Sequence, residues 1–410
     1  MWDYKKVMLF KFSSYGFLKN LRFFEPFLYL FFLENGMSFL QIGTLISIRE
    51  ISVLILEIPT GIMGDLWGRR KTMATAFASY IVSFAIFYSF STYFIFVPAM
   101  FLFAWGEALR SGTHKSMIMA HLDDEDMSEK KVEYYGKTRS ASRLGSALSA
   151  VLAGVIVYYF QSYNIVFLVT IIPYILGFFL MLSYPKELEA EGSKGGQTGV
   201  IKHIKNSFKQ IFDKPSLGKM VLNASIYDSF FKISKDYLSP IVETFAVSLP
   251  LLVFIGNPTQ RTAILVGVVY FFVYMNSFVS SRKSAALMKR VGNMAKALNV
   301  LFFTMASAFL VVAVFLQLNI VILSIIALFF FFGLYNLRKP MVVGYLVDRI
   351  DPDTRATLLS THNQVRSIVG IIIAPILGFF ADVYGISATF AFGAVVLFVV
   401  GILLYIKGEN

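Results

Sequence analysis

The sequence predicts an all-α membrane protein with twelve transmembrane helices in two six-helix halves. Three observations predict it. The chain is 57% apolar and only 15% charged, with 43 Phe and a mean hydropathy of +0.67; soluble domains sit near 45–50% apolar and about 25% charged. Apolar runs of about 20 residues, enough to cross a bilayer, recur throughout, and twelve of them leave about 34 residues per run and connection. One long polar segment, residues 185–216, divides six runs from six.

The runs lie at about residues 12–34, 40–64, 72–92, 94–120, 138–160 and 163–184, then at 217–247, 262–287, 293–317, 319–347, 355–383 and 385–407. Turn signals punctuate several joints: Glu34-Asn35-Gly36, Gly256-Asn257-Pro258 and Asp351-Pro352-Asp353. The start, Met1 to Lys6, has no cleavable-signal pattern, so the first run reads as a retained span. The dividing segment carries Gly192, Gly195, Gly196 and Gly199 among lysines and reads as a linker, with a basic amphipathic helix at 201–212.

The net charge of +12 does not point to nucleic acid, because the positive residues are scattered between apolar runs. With the amino terminus inside, the inside loops hold 24 of the 37 basic residues and the outside loops only Arg261. That asymmetry places both termini and the linker in the cytoplasm. The absence of Cys removes disulfides, thiolate metal sites and redox pairs. The four His are scattered and no phosphate-binding glycine loop is present, so neither a metal, a cofactor nor ATP hydrolysis is expected.

The remaining charges lie within the runs. A charge at the bilayer centre costs at least about 2.5–3.5 kcal/mol, so such groups face protein or a wet cavity. Lys19, Arg22 and Glu25 share a face of span 1 beside Pro26, and Arg49, Glu50 and Glu57 lie in span 2. Span 4 has Glu107, Arg110 and His114; span 7 has Asp228, Lys232, Lys235 and Asp236; span 10 has Arg338 and Lys339; span 11 has His362 and Arg366. Deep cations exceed deep acids by four once Lys115, Arg143 and Glu243 are counted. An anionic solute would balance that excess, since Arg grips carboxylate or phosphate bidentately and Lys offers a point charge. Local pairing is the alternative: Glu25 with Arg22, Glu107 with Arg110, and Asp228 with Lys232. Glu25 and Asp228 are the candidate proton carriers, with His114 and His362 as titratable alternatives. Tyr29, Trp105, Tyr227, Phe230, Tyr237 and Tyr335 could line a cavity, but in a chain this rich in Phe they are expected mainly as lipid-facing or packing residues.

Between spans 2 and 3 stands Gly61-Ile62-Met63-Gly64-Asp65-Leu66-Trp67-Gly68-Arg69-Arg70-Lys71. Asp65 near a helix end can accept from exposed backbone N–H groups and pair with a cation, and Gly68 permits a tight turn. The run resembles the signature loop of the major facilitator superfamily through Asp65, Gly68, Arg69 and Arg70. The second-half equivalent, Lys289-Arg290-Val291-Gly292-Asn293, keeps the glycine and basic residues but lacks the Asp.

The resemblance implies a secondary active transporter of a prokaryotic cytoplasmic membrane, not an enzyme. It also implies alternating access, with spans 1, 4, 7 and 10 lining a cavity between residues 1–184 and 217–410, and Asp65 stabilising one state of the cycle. Lys19, Arg22, Arg110, Lys232, Lys235 and Arg338 are the expected substrate contacts. The substrate is expected to be a small organic or phosphorylated anion moved with protons, outward rather than inward, by a monomer in the lipid bilayer. A multidrug exporter and a non-transporting receptor or scaffold are the alternatives. The first is disfavoured because span 5 has Gly145 and Gly154 without the Gly-Pro pair that similar drug antiporters often carry. The second has no need of opposed charges on four helices.

Overall fold

The computed structural model describes residues 4–188, 215–249, 254–349 and 355–407. The expected helix at 201–212 and the Asp351-Pro352-Asp353 turn lie outside them. Fourteen α-helices follow one another among the described residues: α1 (Tyr4–Lys19), α2 (Leu28–Glu34), α3 (Phe39–Trp67), α4 (Arg69–Ser89), α5 (Tyr93–Arg110), α6 (Thr113–Asp124), α7 (Lys131–Phe160), α8 (Ile165–Leu182), α9 (Pro215–Ser234), α10 (Leu238–Ser248), α11 (Pro258–Val291), α12 (Met294–Gln317), α13 (Val321–Val347) and α14 (Arg355–Leu403). Nine stretches among the described residues are long and apolar enough to cross a membrane. One of these, Leu358–Leu403, is two spans joined at Gly385, whose backbone is not helical. The pairs α1 with α2 and α9 with α10 complete twelve crossings; each is a span interrupted midway.

The interruptions have local causes. In span 1 the helix ends at Lys19 and the chain resumes through a 3₁₀ turn, Glu25–Phe27, with Pro26 at its start, where a missing N–H is tolerated. Backbone freed in a membrane must find partners. Here the Asn20 side chain donates to the Gly16 carbonyl at 2.6 Å and the Tyr174 hydroxyl donates to the Lys19 carbonyl at 3.2 Å. Span 7 breaks at a second 3₁₀ turn, Lys235–Tyr237, with Pro240 in the first turn of α10, where proline is tolerated. Span 4 breaks at Ser111-Gly112, where Gly112 has φ 76°.

The chain forms two compact units, Met1–Gly36 with Ile48–Lys194 and Pro250–Tyr274, and Met37–Ser47 with Gly195–Leu249 and Met275–Asn410. In the first, α4 packs on α5 and α8, and α1 on α7. Its core is aromatic: Phe31 meets Phe167 at 4.6 Å, Phe24 meets Phe84 at 5.1 Å, and Phe87 meets Phe96 at 5.2 Å. In the second, α12 packs on α13 and α14, and α9 on α14. Its core is more aliphatic, with Leu298, Leu301, Val342, Leu346 and Leu358 buried together.

Candidate functional site

The breaks determine where the deep cations stand. Lys19 lies in the last turn of α1, Arg110 ends α5, and Lys232 lies in the last turn of α9. A helix C-terminus carries partial negative charge and favours a cation there. Interrupting a span therefore creates a site for a charge at depth.

In the first unit the cations do not pair as helical spacing suggests. Arg49 takes both acids, Glu50 at 3.0 Å and Glu107 at 3.2 Å. Lys19, Arg22 and Arg110 have no carboxylate within ion-pair distance among the described residues. The expected Glu107–Arg110 pair is thus replaced by Arg49–Glu107. Glu107 reaches Arg49 on a different helix, because the end of α5 turns Arg110 toward tyrosines instead. Arg110 donates through Nε to the Tyr80 hydroxyl at 3.3 Å and lies against Tyr15; Lys19 stands over the Tyr15 ring at 5.8 Å. Arg22 lies against Tyr174 and within electrostatic reach of Glu25 and Glu107. All three cations remain partly exposed, while Tyr15, Tyr80 and Tyr174 are buried around them.

His114 belongs to this cluster, but as a packing residue. Its ring stacks on Tyr15 with centroids 3.6 Å apart and hydrogen-bonds the Tyr184 hydroxyl at 3.2 Å. The charged groups nearest to it are Lys19 and Arg110, both cations.

The second unit handles its charges differently. Lys235 pairs with its neighbour Asp236. Asp228, 5% exposed, meets His362 at 3.6 Å and not Lys232. Arg338 was expected to touch substrate, but it is 1% exposed. Its guanidinium donates to Asn223 Oδ1 and to the Leu298 carbonyl, and lies 4.2 Å from the Tyr227 ring centroid and 5.5 Å from that of Phe302. That arrangement makes Arg338 a pin between α9, α12 and α13. Tyr29, Tyr227, Phe230 and Tyr237 are buried packing residues, as expected. The tyrosines around Arg22 and Arg110 were not singled out from the sequence, because single tyrosines in apolar runs carry no spacing signal.

At the signature loop, Gly68 has φ 86° and links α3 directly to α4, with Arg69 and Arg70 as the first helical residues after it. Arg70 donates to the Tyr184 carbonyl at 3.1 Å, and the Thr72 hydroxyl donates to the Gly68 carbonyl at 3.0 Å. Asp65 lies in the last turn of α3. Among the described residues no group of three or more metal-ligating side chains gathers.

Comparison with known proteins agrees with this architecture. The chain is 26% identical over 400 residues to the uncharacterized MFS-type transporter YxaM of Bacillus subtilis strain 168, covering 96% of this chain and 94% of that one. Its fold is similar to the nucleoside transporter NupG, with a TM-score of 0.79 at 11% identity over 97% of this chain and 98% of that one. It is also similar to a D-xylose-proton symporter, with a TM-score of 0.72 at 14% identity over the whole of both chains. The family model for the Major Facilitator Superfamily matches residues 12–375. The chain therefore belongs to the major facilitator superfamily and is a multi-pass membrane transporter, not an enzyme.

Proposed function

We propose that the protein moves a small organic or phosphorylated anion across the cytoplasmic membrane by alternating access, coupled to protons and directed outward, with the halves 1–184 and 217–410 as its moving parts. The observation that carries the reading is the trio Lys19, Arg22 and Arg110, partly exposed and without an ion-pair partner among the described residues. Three cations at depth repel one another and are costly to desolvate, so an anionic occupant stabilises the cluster. Two guanidinium forks can each grip a carboxylate or phosphate, and Lys19 adds a point charge. Lys232 and Lys235 are the further substrate contacts in this reading, contributed by the second unit, where Lys235 pairs with Asp236. Arg338 supports the second unit from within its core. Glu25 and Asp228 are the proton carriers in this reading, and Asp65 with Gly68, Arg69 and Arg70 sets the balance between the states of the cycle. The solved neighbours are named for a nucleoside, xylose and, for a further transporter of this fold, a peptide. Three unlike solutes on one fold leave the choice of substrate to side chains such as these.

A melting-temperature screen of the purified protein against carboxylates, phosphate esters, neutral sugars and organic cations tests the reading, since a ligand stabilises the state it binds. Anions are expected to raise the melting temperature. Arg110→Gln should weaken that binding by about 1.5–3 kcal/mol, the loss of a charge-assisted hydrogen bond. Arg110→Lys should also weaken it, because the planar fork is lost. Stabilisation by neutral or cationic solutes alone, or full anion binding by Arg22→Gln and Arg110→Gln, overturns the anionic substrate.

A further inference from the structure

In the second unit α9 lies along the first half of α14, and two serines fix the register. Ser225 Oγ donates to the His362 carbonyl at 3.1 Å, and Ser229 Oγ donates to the Arg366 carbonyl at 2.7 Å. The step is four residues on both helices, so the staples lie one turn apart on each. Next to the staples, Asp228 Oδ2 stands 3.6 Å from His362 Nε2, with the residues 5% and 8% exposed.

The ring nitrogen has no hydrogen-bond partner among the described residues. A bare Nε2 lone pair facing a buried carboxylate is repulsive, whereas Nε2–H facing it is attractive. The arrangement is therefore satisfied when a proton sits between the two groups. Of the surrounding charges only Asp228 favours a charged ring; the cations oppose it, so the proton is held by the pair and not by the histidine alone. Tyr227 neighbours Asp228 on α9, Tyr335, Arg338 and Lys339 reach the site from α13, and Arg366 lies one turn from His362 on α14. Arg338 is occupied by Asn223 and the Leu298 carbonyl, and Lys339 is exposed. No cation stands within ion-pair distance of Asp228 other than His362 among the described residues.

We propose that Asp228 and His362 bind the coupling proton together as one site. Loaded, an imidazolium faces a carboxylate and the pair is neutral. On release the ring gives its other proton, from Nδ1, to water and keeps Nε2–H toward Asp228, leaving a neutral imidazole beside a buried carboxylate whose charge now acts on Arg366 and Arg338. The proposal rests on the proton-coupled reading above, and replaces a lone Asp228 by a pair in which the histidine holds the proton. It also explains the serine staples, which keep the two groups at a separation that a proton can close.

The chain has four His, so ring-¹⁵N-labelled histidine in lipid nanodiscs gives few signals, and His362→Gln assigns its own by loss. Between about pH 5 and about pH 8, the range where imidazole changes charge, the His362 ring should titrate in the unaltered protein. In Asp228→Asn its midpoint should move to lower pH by about one unit or more, because the imidazolium loses its opposite charge. His362 signals that stay constant with pH in the unaltered protein overturn the proposal, whatever the variants do. So does an unchanged midpoint in a folded Asp228→Asn. No solute is needed, so this failure is separable from failure of the anion screen.

Discussion

Arg49 holds Glu107 at 3.2 Å, and this pairing decides what remains for Arg110. Simple helical spacing offered Glu107 a nearer partner in Arg110, three positions along the same span. Arg49 takes Glu50 as well, so one guanidinium accounts for two carboxylates. Arg110 is left to a phenol, Tyr80.

The first prediction contrasts the two members of the expected pair. Glu107→Gln removes a charged partner from Arg49 and should cost about 1–3 kcal/mol of stability. Arg110→Gln removes a cation whose partner is neutral, and should leave the melting temperature close to the parent or above it. Thermal unfolding of both variants in one detergent checks the order. A larger loss for Arg110→Gln would mean that Arg110 is a structural partner after all.

The signature loop gives a backbone prediction and a functional one. Gly68 at φ 86° and ψ 144° alone joins two helices, so Gly68→Ala should cost about 1–3 kcal/mol for a side chain in a backbone region open essentially to glycine. Gly64→Ala, helical and with open space at its Cβ position, should be neutral or mildly stabilising. Asp65→Asn should keep the melting temperature yet impair transport; equal transport rates in proteoliposomes would reduce Asp65 to a loop residue.

Asp382 offers a third test. Its two carboxylate oxygens accept the backbone N–H groups of Phe39 and Leu40, each at 2.8 Å, and so cap the start of α3 from α14. Asp382→Ala should cost about 1 kcal/mol, as losing an N-cap does. Amide hydrogen exchange at Phe39 and Leu40 should accelerate while the middle of α3 is unaffected. Unchanged exchange at those two amides would show that the cap contributes nothing.

Topology is the fourth. The chain has no Cys, so a single Cys at Ser193 can be labelled without background. The distribution of basic residues predicts that an impermeant reagent added outside intact cells leaves it unlabelled, and that it reacts once the cells are opened. Labelling from outside would invert the orientation.

The twelve crossings were legible because hydropathy along the chain is a one-dimensional signal set by bilayer thickness. So were the turn at Gly68 and the two-span nature of residues 355–407. Two of the interruptions were half legible: Pro26 and Pro240 stand in the sequence, but a proline alone does not say whether a span kinks or breaks. The partners were not legible. In α8 every face is apolar, and only packing selects Phe167, Tyr174 and Gly177 for the interior while Ile172, Leu176 and Phe179 face outward.

The sequence by itself determined that this protein spans a membrane twelve times, carries more positive than negative charge at depth, and has the loop of its superfamily. Those properties depend on composition and on residues near one another in the chain. The tertiary structure alone decided which charges neutralise one another. Arg49 meets Glu107 across 58 positions and Asp228 meets His362 across 134, because helices distant in sequence pack side by side. Helical spacing proposes neighbours one turn apart, worth about 0.2–0.5 kcal/mol each. Burial between helices outweighs that preference, since a carboxylate taken out of water must find a partner wherever the fold supplies one.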